Sequence, residues 1–154
     1  MHYLEKTKID GATWVRQQNF WLFGTATFKD GSQTSDEQAI ADATHFFNIL
    51  DRKLLTRREL SEGIRLERLV FLEHGKLRAN THIHFFIKGN HLKHYRQIYH
   101  NSIDIWESRI QKGHSMLMKN NISADDTRSE YCWKELTERE GDVLLIECCY
   151  LKKH

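Results

Sequence analysis

Two long apolar runs, IRLERLVFLEHG (64–75) and KLRANTHIHFFIKG (76–89), meet at a glycine and constrain the fold more than anything else in the chain. Aliphatic and aromatic residues bounded by glycine predict two strands. The glycine-containing turn pairs them as an antiparallel hairpin. NFWLFGTATFKDG (19–31) predicts a further strand, ended by a Lys-Asp-Gly turn. HSMLMKNNI (114–122) and VLLIECCYL (143–151) supply the fourth and fifth. Between them lie helical patterns. In 35–55, Ser35 is placed to cap, and Ile40, Ala43, Phe46, Phe47 and Leu50 recur at helical spacing. In 91–113 the stripe is Leu92, Tyr95, Ile98, Tyr99, Ile105, Trp106 and Ile110, with Gly113 as the stop. A third helix is predicted over 123–141. The order β-α-β-β-α-β-α-β predicts an α+β fold, a mainly antiparallel five-stranded sheet with packed helices, related to the ferredoxin-like split βαβ unit.

The 154 residues suit one domain, 1–154. Hydrophobic residues at 40% and charged residues at 29% exclude a disordered chain. No run of 18 apolar residues is present, so no membrane partner is expected. The N-terminal MHYLEKTKIDG lacks the apolar centre of a signal peptide. Cys132, Cys148 and Cys149 form neither a disulfide framework nor a zinc spacing, and they point to a reducing, cytoplasmic setting. A net charge of +2 does not by itself call for nucleic acid. The local run DRKLLTRR (51–58) is basic, however, and 123–142 is acidic.

Alternation along a strand puts His82 and His84 on one face, about 6.6–6.8 Å apart at Cα, with Ile83, Phe85 and Ile87 turned toward a core on the other. Two imidazoles so placed can converge on one divalent ion. Glu73 lies nine residues before His82 on the paired strand, within cross-strand reach. It can complete a His-His-carboxylate set with positions open to water or phosphate, and Glu67 is the rival farther back. Mixed N/O ligation of this kind suits Mg²⁺ or Mn²⁺ held together with a phosphate, and zinc fits by ligand type. On the 123–141 segment, Tyr131 and Lys134 stand at i and i+3 and share a helix face.

These elements resemble the HUH endonucleases. His82-Ile83-His84 fits their His-hydrophobic-His motif, and Tyr131-Cys-Trp-Lys134 fits the Y-x-x-K motif of the single-tyrosine replication-initiator branch. FGTATF (23–28) is similar to the first motif of that branch, and the motifs stand in its order over roughly residues 19 to 150. The resemblance implies the HUH endonuclease fold and a metal held by Glu73, His82 and His84. It implies Tyr131 as the nucleophile that cuts single-stranded DNA, at an origin or hairpin, and stays joined to the 5′ phosphate. About one tyrosine in 10³ is phenolate at pH 7, a deficit of roughly 4 kcal/mol, so a neighbouring cation such as Lys134 has work to do. Arg52, Lys53, Arg57, Arg58, Lys76 and Arg78 are candidate DNA contacts, with Phe23, Phe28 and Phe86 as stacking residues. With one nucleophile per chain, a second transfer needs either reversal by the free 3′ hydroxyl or a second copy in a homodimer. A small tyrosine transposase shares these features, and a non-catalytic nucleic-acid-binding sheet would explain the aromatic strands without a metal.

Overall fold

The computed structural model describes residues 3–89, 91–120, 127–135 and 143–153. Four seven-residue strands form one sheet: β1 (Leu22–Phe28), β2 (Glu67–Glu73), β3 (His82–Lys88) and β4 (Gly113–Lys119). Their order is β2-β3-β1-β4, and each neighbouring pair is antiparallel. Five α-helices are described: α1 (Tyr3–Gln17), α2 (Asp36–Leu54), α3 (Arg57–Ser61), α4 (Leu92–Arg109) and α5 (Arg128–Cys132).

The alternation of each strand feeds two cores. Leu22 and Ala26 of β1, Val70 and Leu72 of β2, Ile83, Phe85 and Ile87 of β3, and Met116 and Met118 of β4 face α2 and α4. Phe46, Phe47 and Leu50 from α2 and Ile98, Ile105 and Trp106 from α4 close that layer, all of them 1% exposed or less. Each such side chain contributes roughly 1.5–3 kcal/mol through burial. Gly24 is required where β1 passes under this layer, because a Cβ there would stand 2.2 Å from the Phe85 ring. The opposite face carries a second core of Phe23, Leu69, Phe71 and Phe86, covered by Val15 of α1, Phe20 and Cys132 of α5.

The Ser35 cap is present, with its hydroxyl accepting from the Gln38 N–H at 3.1 Å. Acidic residues fill the first turn of α2 and basic residues the last, which suits the helix dipole.

Four sequence expectations need correction. Apart from these, the segment 3–17, for which the sequence predicts no element, is a helix. Residues 76–81 are not strand. Glycine 75 at φ 69° and a 3-10 turn over Lys76–Arg78 make the connection a longer loop, and β3 begins at His82. The α4 helix stops at Arg109 with Ile110 as its C-cap, and Gly113 opens β4 rather than ending the helix. Its expected apolar stripe also loses Leu92, which is 73% exposed.

The last correction concerns 143–151, which is not a fifth strand. Its backbone pairs with β2 through isolated bridges, Phe71 to Leu144 and Arg68 to Tyr150, with a 3-10 turn at Ile146–Cys148 between them. The buried Arg68 side chain explains the interruption. Its Nε donates to the Cys148 carbonyl at 2.9 Å while its Nη1 donates to the Asp51 carboxylate. The expected helix 123–141 is described only as α5 and the turn to 135, and its acidic Asp125 and Asp126 and its Gly141 stop lie outside the described residues.

Candidate metal and tyrosine site

The hairpin register places Glu73 directly opposite His82. β1 runs along the other side of β3, with Thr25 opposite His84. Side-chain alternation then brings all four residues to the face of the second core. The histidines are not set apart from apolar packing, as the alternation alone suggested. His82, His84 and Glu73 are 8%, 5% and 5% exposed, and the His84 ring stacks on Phe23 at 5.3 Å.

Both imidazoles direct Nε2 to one carboxylate oxygen. Glu73 Oε2 lies 2.7 Å from His84 Nε2 and 3.1 Å from His82 Nε2. Their other nitrogens are engaged behind the site: His82 Nδ1 donates to the Asn80 carbonyl at 2.7 Å, and His84 Nδ1 lies 3.0 Å from the Thr25 hydroxyl. Such outer partners fix the ring orientation and tautomer of ligating histidines. One donor atom from each of the three residues falls within 4.8 Å of the others. This buried group could hold a metal ion. Glu67 does not compete, because it lies at the far end of β2, opposite Lys88 and 3.6 Å from its ammonium.

The second Glu73 oxygen faces the tyrosine segment. Tyr131 Oη donates to Oε1 at 3.1 Å, and Lys134 Nζ forms an ion pair with the same atom. Lys134 Nζ also stands 3.7 Å from the centre of the Tyr131 ring, a cation–π distance. The Tyr131 ring lies edge-on to His84 at 5.4 Å, and the residue remains 45% exposed. One carboxylate thus ties the imidazole pair to the phenol and the ammonium.

Charge follows from this geometry. Burial would raise the Glu73 carboxyl, but hydrogen bonds from His82, His84 and Lys134 outweigh it and hold the group below the ordinary carboxylate range. For His82, burial is outweighed by the Glu73 and Asn80 hydrogen bonds, and its value rises above 6.5. His84 is more deeply buried, and desolvation keeps it below 6.5 despite Glu73. The Lys134 ammonium is raised, because Glu73 and Tyr131 overcome its modest desolvation.

A further set of contacts seats the tyrosine segment. Glu135 accepts from the backbone N–H groups of His74 and Gly75 at 2.8 and 2.9 Å. Arg16 of α1 pairs with Glu130, and Lys8 Nζ donates to the Lys134 carbonyl at 3.2 Å. A Cβ on Gly11 would lie 2.6 Å from the Trp133 ring, so the missing side chain lets α1 and this segment meet. These seat residues escaped the sequence reading. The Gly11 to Trp133 contact spans over a hundred residues, and neither residue type signals it.

The candidate DNA contacts divide into two groups. Lys76 and Arg78 sit in the loop that leads to His82, with Arg78 Nη2 3.2 Å from His74 Nε2. Arg52, Lys53, Arg57 and Arg58 sit at the end of α2 and on α3, toward the Glu67 end of β2. That is roughly 20 Å of strand from Glu73, with Lys53 paired to Asp104 and Arg58 to Glu62. Phe23, Phe28 and Phe86 are all buried, and Phe28 packs on Trp106 on the helix-covered face, so none offers an open ring.

No protein-family model, curated protein or solved structure matches the chain.

Proposed function

We propose that the chain is a metal-dependent HUH-type nickase and nucleotidyl transferase that cuts single-stranded DNA and joins its 5′ phosphate to Tyr131. The observation that carries this reading is the meeting of His82, His84, Tyr131 and Lys134 on the single carboxylate of Glu73. The chain path β1-α2-α3-β2-β3-α4-β4, with α3 a short helix in the first crossover, and the sheet order β2-β3-β1-β4 support a ferredoxin-like layout, the split βαβ arrangement. A nucleic-acid-binding sheet alone would leave that convergence without a purpose.

In this mechanism Glu73, His82 and His84 would hold Mg²⁺ or Mn²⁺, which would supply positive charge beside the scissile phosphate. Glu73 Oε1 aligns the Tyr131 hydroxyl by accepting its hydrogen bond. Its depressed proton affinity makes it an orienting acceptor rather than a strong base. Lys134 lies against the ring and stabilises negative charge as it develops on the phenolic oxygen. Tyr131 Oη bonds to phosphorus as the bond to the leaving 3′ oxygen breaks. The phenolic proton passes to solvent, and the leaving oxygen takes up a proton to become a 3′ hydroxyl. One phosphodiester is exchanged for another, so the same hydroxyl can attack back and rejoin the strand.

The deciding measurement is a denaturing gel of the protein incubated with a pool of single-stranded and hairpin DNAs, with Mn²⁺, Mg²⁺ or chelator. A boiling-resistant protein–DNA band that needs metal and vanishes in Tyr131→Phe is expected. Intact DNA under all conditions would overturn the reading.

A further inference from the structure

Outside the candidate metal site, Trp21 is an exposed aromatic, 47% exposed and immediately ahead of β1. One face of its indole is backed by Tyr95 of α4, stacked at 5.0 Å between ring centres and 26° between planes. The ring borders a hollow of about 390 Å³ lined by Trp21, Leu22, Leu92, Lys93, Tyr95 and Arg96. A neighbouring hollow of about 210 Å³ shares Leu22, Tyr95, Arg96 and Asn120 and extends to Tyr99 and His100. Leu92, which left the main core, is 73% exposed here. Among the described residues no ion pair engages Lys93 or Arg96.

We infer that this hollow is a binding site for a base of single-stranded DNA, with Trp21 as the stacking platform and Lys93 and Arg96 as phosphate contacts. Tyr95 fixes the indole from behind, so a base arriving on its open side extends a stack that is already ordered. Base–aromatic stacking needs an open ring face beside positive charge and accepts every base. The occupant must be both flat and anionic, which single-stranded nucleic acid is and an apolar peptide is not. Continuity with the metal site favours the same strand. Trp21 stands four residues, about 13 Å, along β1 from Thr25, the partner of His84. The sheet edge beside β1 is β4, where exposed Leu117 lies opposite Thr25 and Lys119 lies opposite Phe23. Asn120 follows and lines both hollows. That edge makes a track from the histidines to the indole.

The choice of DNA rests on the nickase reading, whereas the binding measurement needs no cleavage. Fluorescein-labelled oligo(dT) 12-mers, with oligo(U) 12-mers as the RNA arm, are titrated by anisotropy with the full chain in chelator at several salt concentrations. Trp21→Ala is expected to weaken oligo(dT) binding about 5- to 100-fold, with Trp21→Phe retaining most of the affinity. Arg96→Gln is expected to reduce the slope of log affinity against log salt by about 0.7. Ultraviolet cross-linking of a bromodeoxyuridine 12-mer is expected on the Trp21 peptide. Unchanged affinity in Trp21→Ala, or tighter binding of oligo(U) than of oligo(dT), would overturn the assignment. A Trp21 effect on binding in a protein that never forms a tyrosine adduct would leave this site standing and remove the nickase reading.

Discussion

Glu73 serves two sets of partners with its two oxygens, and its substitutions separate them. Glu73→Ala, His82→Ala and His84→Ala are each expected to abolish Mn²⁺ binding in calorimetry, and Glu67→Ala to leave it intact. If Glu67→Ala removed the metal and Glu73→Ala did not, the ligand set would be wrong. Lys134→Met takes a cation from the Glu73 oxygen and from the Tyr131 ring. It is expected to slow adduct formation about 10²-fold, ~2.7 kcal/mol, in single-turnover assays, and unchanged rates would make it a surface lysine. Four other tyrosines compete for the nucleophile's role on composition alone. Tyr95 backs Trp21, Tyr150 bridges to Arg68, Tyr3 is on α1, and Tyr99 packs against the main core. Only Tyr131 reaches Glu73 among the described residues, so mass spectrometry is expected to find the DNA-linked peptide at Tyr131.

Among the elements, the sheet and the tyrosine segment are held by different means. The candidate metal ligands stand on β2 and β3, locked by seven register pairs. Tyr131 stands on a five-residue helix whose place depends on Arg16, Lys8, Gly11 and the Glu135 clamp. Gly11→Leu would drive a side chain into Trp133. It is expected to lower the rate of adduct formation at least tenfold while Mn²⁺ still binds, checked by running both assays on one preparation. The hairpin half of the site was legible in the sequence because strand period puts His82 and His84 on one face and the two strands are consecutive, although the loop between them is longer than the turn expected. The seat was not, because α1 carries polar residues and a glycine along much of its length and its docking contacts are far apart in sequence. VLLIECCYL misled for a related reason: its apolar run reads as strand, but Arg68 and Asp51 dictate its path.

For the whole molecule, charge on the site couples stability to pH and to metal. Glu73 is held below 4.5, so its contribution is present above 4.5 and is lost as pH falls through the depressed value. His82 is raised above 6.5, so its contribution is complete below 6.5 and is lost as pH rises through the raised value. In chelator, the two overlap between pH 4.5 and 6.5, and thermal melts are expected to show the largest deficit of Glu73→Gln in that window. A bound cation needs the His82 lone pair and competes with the proton. Mn²⁺ fixed at about 100 times its Kd at pH 8 adds roughly 2.7 kcal/mol there and is expected to raise Tm by roughly 5–10 °C, and the same concentration is expected to raise it less at pH 5.5. An equal rise at both pH values would show that the imidazoles are not the ligands. The described helices include none long and apolar enough to cross a membrane.

The packing of α1 beneath the tyrosine segment also has a genetic consequence. A random-mutagenesis screen for loss of nicking would return two groups of alleles. One would fall in codons 73 to 84 and 131 to 135, where the reacting groups are encoded. The other would fall in codons 8 to 16, which lie far from codon 131 in sequence. Revertants of that second group would be found opposite it, at Glu130 and Trp133.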